Sequence, residues 1–166
     1  AWIWPENGPK GMDSMLDLAI VGGNVHLPGG AKVQDVGVRN GAIVQIAARG
    51  GLQPAQRTID AKGLEVMPGL WHVHCHFREP GHTYKEDFLS GTTAAALGGI
   101  ACCLHMTNND PHPTTRETFA LKRETIAPQA LIDYGLYGGG LYPKTVADLA
   151  QDGAIAIKVF NTRHVK

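Results

Sequence analysis

No stretch of this 166-residue sequence approaches the roughly 20 consecutive apolar residues of a membrane-spanning helix. Net charge is also missing: 15 basic and 15 acidic side chains cancel. A chain without an excess of either sign has no electrostatic reason to seek nucleic acid or a charged membrane surface. A secretory leader is not evident, because residues 1–11 (AWIWPENGPKG) lack a basic segment followed by an apolar one. Residues 1–14 read as a disordered leader, with Met12 or Met15 as a natural start. Cysteine is scarce. Cys75, Cys102 and Cys103 are odd in number, two are adjacent, and all lie in apolar runs. That is a poor disulfide framework, and it points to buried free thiols in a reducing cytoplasm.

The remaining composition supports a folded core: 43% of residues are hydrophobic, and 21 glycines punctuate short elements. Two regimes follow one another. Residues 15–66 alternate short apolar runs with Gly and Asn. Strands are expected at Leu16–Val21, Val25–Leu27, Val33–Arg39, Ala42–Ala47, Thr58–Asp60 and Leu64–Met67, with hairpin turns at Gly22-Gly23-Asn24 and Asn40-Gly41. From Pro68 the period lengthens. Leu70–Cys75 reads as a buried strand, Lys85–Leu97 as a helix and Ile100–Met106 as a strand. Thr114–Ile126 reads as a helix capped by Thr114 or Thr115, then Ala130–Tyr137 as a strand, Pro143–Gln151 as a helix and Ala154–Phe160 as a strand.

Such alternation gives right-handed βαβ units on a parallel sheet. Four units are half of an eight-stranded barrel; a whole one needs about 250 residues and only about 100 follow Pro68. An open four-stranded sheet is the alternative, but it would leave its last strand uncovered. The expected fold class is therefore α/β. A β-rich segment (15–66) precedes the first four βα units (67–166) of a truncated (β/α)8 TIM-type barrel.

Chemistry concentrates in His72-Val73-His74-Cys75-His76-Phe77-Arg78-Glu79-Pro80-Gly81. Residues two apart on a strand share a face. His74 and His76 therefore project together from the C-terminal end of the first parallel strand, the active-site end of a barrel. Two converging imidazoles suit a divalent metal such as zinc. Three histidines at period two are costly in an apolar strand without a ligand, although His72 sits deeper. Lys158, in GAIAIKVF, falls within an apolar strand. It either reaches solvent at the strand end or stands inside the barrel. There a neutral amine is favoured and reacts with carbon dioxide to give a bridging anionic carbamate. Arg78 lies at the mouth, where a guanidinium matches a substrate carboxylate. Asn108, in MTNNDP, reads either as a ligand-binding amide or as a turn residue.

The run PGLWHVHCHFREPGHTYKEDFLSGTTAAALGGI resembles the signature of the cyclic amidohydrolases, and REPG and KEDF are similar to dihydroorotases in particular. MTNNDP resembles their Met-Pro-Asn-Thr-x-Pro segment, and GAIAIKVF the strand that bears their carboxylated lysine. The resemblance covers about residues 15–161. It implies that residues 15–66 are half of a β-sandwich built from both chain ends. It implies that His74 and His76 hold the more buried of two Zn2+ ions, that Lys158 as a carbamate bridges them, and that Arg78 and Asn108 bind the substrate carboxylate. The implied reaction is reversible hydrolysis of dihydroorotate to N-carbamoyl-L-aspartate in pyrimidine synthesis. The family's later histidines and its aspartate base would lie beyond Lys166, so no catalytic base is expected here and the 166-residue polypeptide alone is expected to be inactive.

This chain departs from the family pattern at several positions. His72 replaces an Asp, Trp71 and Cys75 replace smaller aliphatics, Thr107 replaces a Pro, and Ala101 stands where Thr is usual. Two other readings stay open: a hydantoinase or allantoinase, whose substrates lack the carboxylate that Arg78 suits, and a non-catalytic scaffold for aspartate transcarbamoylase. Expected partners are a small-molecule substrate and either a homo-oligomeric mate or that transcarbamoylase.

Overall fold

The computed structural model describes residues 15–141 and 143–160. The leader at 1–14 and the helix anticipated after Phe160 lie outside the described residues. The described chain divides into two compact units, one ending at Pro68 and one starting at Gly69.

The first unit is one five-stranded sheet of β1 (Leu16–Leu27), β2 (Gly30–Arg39), β3 (Ala42–Ala47), β4 (Ala55–Asp60) and β5 (Glu65–Val66). The order is β3-β2-β1-β4, and β5 also pairs with β1. β2 runs antiparallel to β1 and to β3, whereas β4 and β5 both run parallel to β1. Asn40 (φ 51°) and Gly41 (φ 73°) are both left-handed, which is what a two-residue hairpin turn requires.

The hairpin turn expected at Gly22-Gly23-Asn24 is absent. β1 runs straight through it with a bulge between Ile20 and Gly23, and Gly22 supplies the positive φ of 74° that a bulge of this kind uses. The buried Asp35 carboxylate secures the bulge by accepting from Gly22 N (2.8 Å) and from Gly50 N (2.6 Å). The reversal occurs instead at Pro28-Gly29, a dipeptide with its own turn chemistry.

The second unit alternates strand and helix: β6 (Leu70–Cys75), α1 (Phe88–Leu97), β7 (Ile100–His105), α2 (Arg116–Ile126), a 3-10 turn (Ala127–Gln129), β8 (Asp133–Gly139), α3 (Pro143–Gln151) and β9 (Ala156–Lys158). The four strands pair in chain order, all parallel. This is the α/β parallel arrangement that the strand–helix alternation predicts.

Helix starts follow their caps. Asp87 caps α1 through Ser90 N (2.7 Å), so Lys85 and Glu86, expected inside the helix, precede it. Thr115 caps α2 in a reciprocal box with Thr118. β8 begins at Asp133, three residues later than expected, because Pro128 carries the chain on as a 3-10 turn.

α1 buries Phe88, Gly91, Thr92 and Ala95, a single stripe at helical spacing. Gly91 is required there, since a Cβ would overlap the Phe77 ring. Phe77, Phe88, Phe119, Ile126, Leu136 and Leu149 pack with Cys75 and Cys103 into one core. All three cysteines are buried free thiols, as their apolar setting predicts. Cys75 is pushed up to about 12 by burial and by the neighbouring Cys103 thiol.

Leu70–Cys75 is not a buried strand. Only Cys75 is buried; Trp71 is 62% exposed and Val73 55%. The reason is topological, because β6 is an edge strand of the described sheet, so only its C-terminal end lies under the core. The exposed edge that an open sheet leaves is therefore at β6 as well as at β9. None of the described helices is long and apolar enough to cross a membrane.

Candidate metal and substrate site

The parity of β6 sets the site. Cys75, with Phe77 after it, turns into the core, which leaves His72, His74 and His76 on the opposite face. His74 Nε2 and His76 Nε2 stand 3.2 Å apart, with ring centroids 5.1 Å apart and planes at 52°. Two readings suit that geometry. One imidazole donates to the other, or both present lone pairs to one cation. Tetrahedral zinc with Zn–N of about 2.0–2.1 Å spaces its nitrogens about 3.3–3.4 Å apart, so the pair matches one edge of such a shell.

Burial is the main cause that holds His76 below the usual imidazole range; the positive charges of Arg78, His74, Lys158 and Lys122 add to it. A neutral imidazole is the form that binds a metal. Its Nδ1 is buried and has no hydrogen-bond partner among the described residues. Tyr137 of β8 donates to Val73 O (3.2 Å), which steadies the strand between His72 and His74.

Arg78 follows on the loop after β6. Its backbone carbonyl accepts from His82 N (2.9 Å), which folds the loop back, while its guanidinium forms no hydrogen bond or ion pair among the described residues. It is half-buried. Asn108 is half-buried, and its Oδ1 is enclosed without a partner. Its neighbour Asn109 is 1% exposed and structural: Nδ2 donates to Glu79 O (2.8 Å) and makes a longer contact to Pro80 O (3.4 Å).

Lys158 ends β9. It is half-buried, not enclosed as a barrel-interior lysine would be, and its Nζ lies 5.3 Å from the Phe160 ring centroid. The cause is the same as at β6, since β9 is the other edge of the described sheet. Among the described residues no three His, Cys, Asp or Glu side chains converge on one point. The structure thus brings His74 and His76 together and sets Arg78 on the loop that leaves their strand. Asn108 stands on the loop after β7 and Lys158 on the far edge strand.

Some residues beneath the site escape a reading of the sequence. Lys122, on α2, is fully buried and forms no ion pair among the described residues; its Nζ donates to Met106 O (2.6 Å). Burial brings it down to about 7. The signal was its spacing, three residues after Phe119 and four before Ile126, on the buried stripe of α2. Met106 N in turn donates to Cys75 O (2.9 Å), which joins the ends of β6 and β7. His105, also buried, packs against the Phe77 and Phe88 rings and is held down to about 2, first by burial and then by the Lys122 charge. Its place on the apolar strand β7 gave no hint of a role beyond packing.

No family model matches the chain. An allantoinase of Rubrobacter xylanophilus is 42% identical over 153 residues, which cover 89% of this chain and 33% of the relative. A dihydroorotase of Methanothermobacter thermautotrophicus is 38% identical over 126 residues, 76% of this chain and 29% of the relative. The solved L-hydantoinase of Arthrobacter aurescens superposes with a TM-score of 0.79 at 27% identity, covering 86% of this chain and 32% of that structure. The chain spans about a third of the length of the curated relatives it matches. Over the residues matched, with the paired histidines at the end of the first parallel strand, the chain belongs to the cyclic amidohydrolase superfamily.

Proposed function

We propose that this chain contributes the first metal ligands and a carboxylate-binding arm to a metal-dependent cyclic amide hydrolase, with dihydroorotate as its substrate. The parallel unit is read as the first four βα units of an eight-stranded barrel, and the preceding sheet as one part of a composite sandwich. The observation that carries the reading is the 3.2 Å approach of His74 and His76 beside an Arg78 guanidinium with no partner among the described residues.

His74 and His76 would hold one cation, and Lys158, as a carbamate, would add an anionic oxygen donor. The carbamate forms when the neutral amine attacks carbon dioxide and releases one proton. A bound divalent ion such as zinc supplies Lewis acidity and makes water nucleophilic near neutral pH. Arg78 engages the substrate carboxylate in a two-pronged fashion, and Asn108 completes its hydrogen bonding. That clamp would fix the orientation of the ring. In the net reaction the water oxygen joins the carbonyl carbon, the ring C–N bond breaks, and the nitrogen takes a proton.

A second reading is allantoin hydrolysis, favoured by the 42% identity to an allantoinase. The test is turnover of dihydroorotate, allantoin and hydantoin by the metal-loaded full-length protein, with Arg78→Met beside it. Dihydroorotate turnover that collapses in the variant supports the proposal. Preference for allantoin with an indifferent Arg78 overturns it in favour of the second reading.

A further inference from the structure

The two loops proposed to bind the carboxylate do not hang independently; both are fastened to Glu79. Its Oε2 accepts from Phe88 N (2.8 Å), the first amide of α1. Its Oε1 accepts from Gln129 Nε2 (2.9 Å), 50 residues away in the 3-10 turn after α2. Its backbone carbonyl accepts from Asn109 Nδ2 (2.8 Å). Pro80 O receives Asp110 N (3.2 Å), and the loops approach so closely that a Cβ on Gly81 would stand 2.5 Å from Asp110 O. Glu79 thus sits immediately after Arg78 and is bound to the residue immediately after Asn108. The carboxylate ties the Arg78 arm to α1 and to the 3-10 turn, and the backbone carbonyls of Glu79 and Pro80 hold the Asn108 arm against it. A half-buried carboxylate that meets two donors is well satisfied without any ligand, so it has no need of a substrate contact of its own.

From this geometry we infer that Glu79 is the positioning residue of the carboxylate clamp. It sets Arg78 and Asn108 at a fixed separation and touches no substrate itself. The inference rests on the proposed function for its catalytic consequence, but the loop fastening is testable without activity. The side chain needs two acceptor or donor sites at this spot, not a charge. Glu79→Gln keeps both side-chain contacts: its Oε1 accepts from Phe88 N, and its Nε2 donates to Gln129 Oε1 once that amide turns by half a rotation and gives up its bond to Thr125 O (3.1 Å). Glu79→Leu keeps neither. Gln129→Leu removes one of the two side-chain contacts and leaves Phe88 N paired.

The experiment compares the full-length wild type, Glu79→Leu, Glu79→Gln and Gln129→Leu in two measurements. In amide hydrogen exchange, Glu79→Leu should speed exchange of residues 78–82 and 108–110 by about tenfold or more while β7 stays protected, and Glu79→Gln should not. In kinetics, Glu79→Leu should raise KM for dihydroorotate by about tenfold with kcat within about threefold, leaving a carboxylate-free cyclic amide such as hydantoin unaffected. Gln129→Leu should move both readouts in the same direction by less, and Glu79→Gln should track the wild type. Unchanged exchange in Glu79→Leu overturns the fastening. Faster exchange with equal losses on both substrates reduces Glu79 to general structural support and overturns the positioning role. Faster exchange in a protein whose wild type turns over neither substrate leaves the fastening standing and refutes the proposed function instead.

Discussion

Replacing Lys122 with Met should flatten the pH dependence of stability in a predictable window. Lys122 is enclosed by α2 and the strand ends, with Cys75 as the group on β6 and His105 as the group on β7 whose titration it influences. Its amine is brought down from an ordinary 10.5 to about 7. The unfolded chain therefore keeps its proton across a range in which the folded chain has released it. Proton linkage then makes stability rise with pH between about 7 and 10.5, with the whole penalty present below 7. Its size is about 5 kcal/mol below pH 7 and about 2 kcal/mol at pH 9. The wild type should gain about 2 kcal/mol from pH 7 to pH 9 through this group alone.

Methionine fills a similar volume but cannot donate to Met106 O, which costs about 1 kcal/mol. Lys122→Met should therefore be the more stable protein at pH 7 by about 3 kcal/mol, with the gap closing toward pH 9. Urea unfolding at pH 7, 8 and 9 reads this directly. The window avoids His105, whose effect lies below pH 6.5, and Cys75, whose effect begins above pH 9. Parallel pH profiles for variant and wild type would refute the argument, because a buried amine that does not titrate near 7 cannot carry the penalty.

Further outcomes follow from the same structure. His105 stays neutral when folded but takes a proton when unfolded below pH 6.5, so stability should fall by about 2 kcal/mol from pH 7 to pH 5; His105→Leu should flatten that stretch in thermal melts. Gly81 (φ 99°) and Gly99 (φ 78°) both have positive φ, but only Gly81 faces a close neighbour. Gly81→Ala should therefore lose about 2 kcal/mol more than Gly99→Ala in paired urea titrations. Arg116 spans Asp148 (3.0 Å) and Asp152 (2.8 Å) from an exposed position, so Arg116→Ala should leave the urea midpoint nearly unchanged, and less affected still at high salt. His74→Ala should abolish stoichiometric zinc in the full-length protein by metal analysis; His72→Ala, one pair further from the loop, should retain it.

The sequence was most informative where a local rule acts alone. Asn40-Gly41 forms its turn, Pro143–Gln151 is helical over the expected span, and the parallel order of β6, β7, β8 and β9 follows from the βα period. It misled at Gly22-Gly23, where two glycines read as a turn serve a bulge, because only the Asp35 carboxylate from the next strand decides between them. It overstated burial at Leu70–His74 and at Lys158, since a strand's composition does not say whether it has neighbours on both sides. The juxtaposition of His74 and His76 was legible from period two alone. Lys122, Glu79 and Asn109 were not, because their roles come from contacts across 16, 50 and 30 residues.

β1 has a consequence for the order of assembly. Its bulge divides one strand into two shorter tracts: Leu16–Val21 takes β4, and Asn24–Val25 takes β5, along the same edge. The β1-β2-β3 meander closes over tight reversals, so its contacts are local and form early. β4 and β5 must dock in parallel after long excursions, so they close late and singly. The Ala61–Leu64 link between them, which tucks Leu64 N onto Ala61 O (2.9 Å), then acts as the clasp that seals the exposed edge. Until that clasp shuts, β1 offers an open template for pairing with another chain.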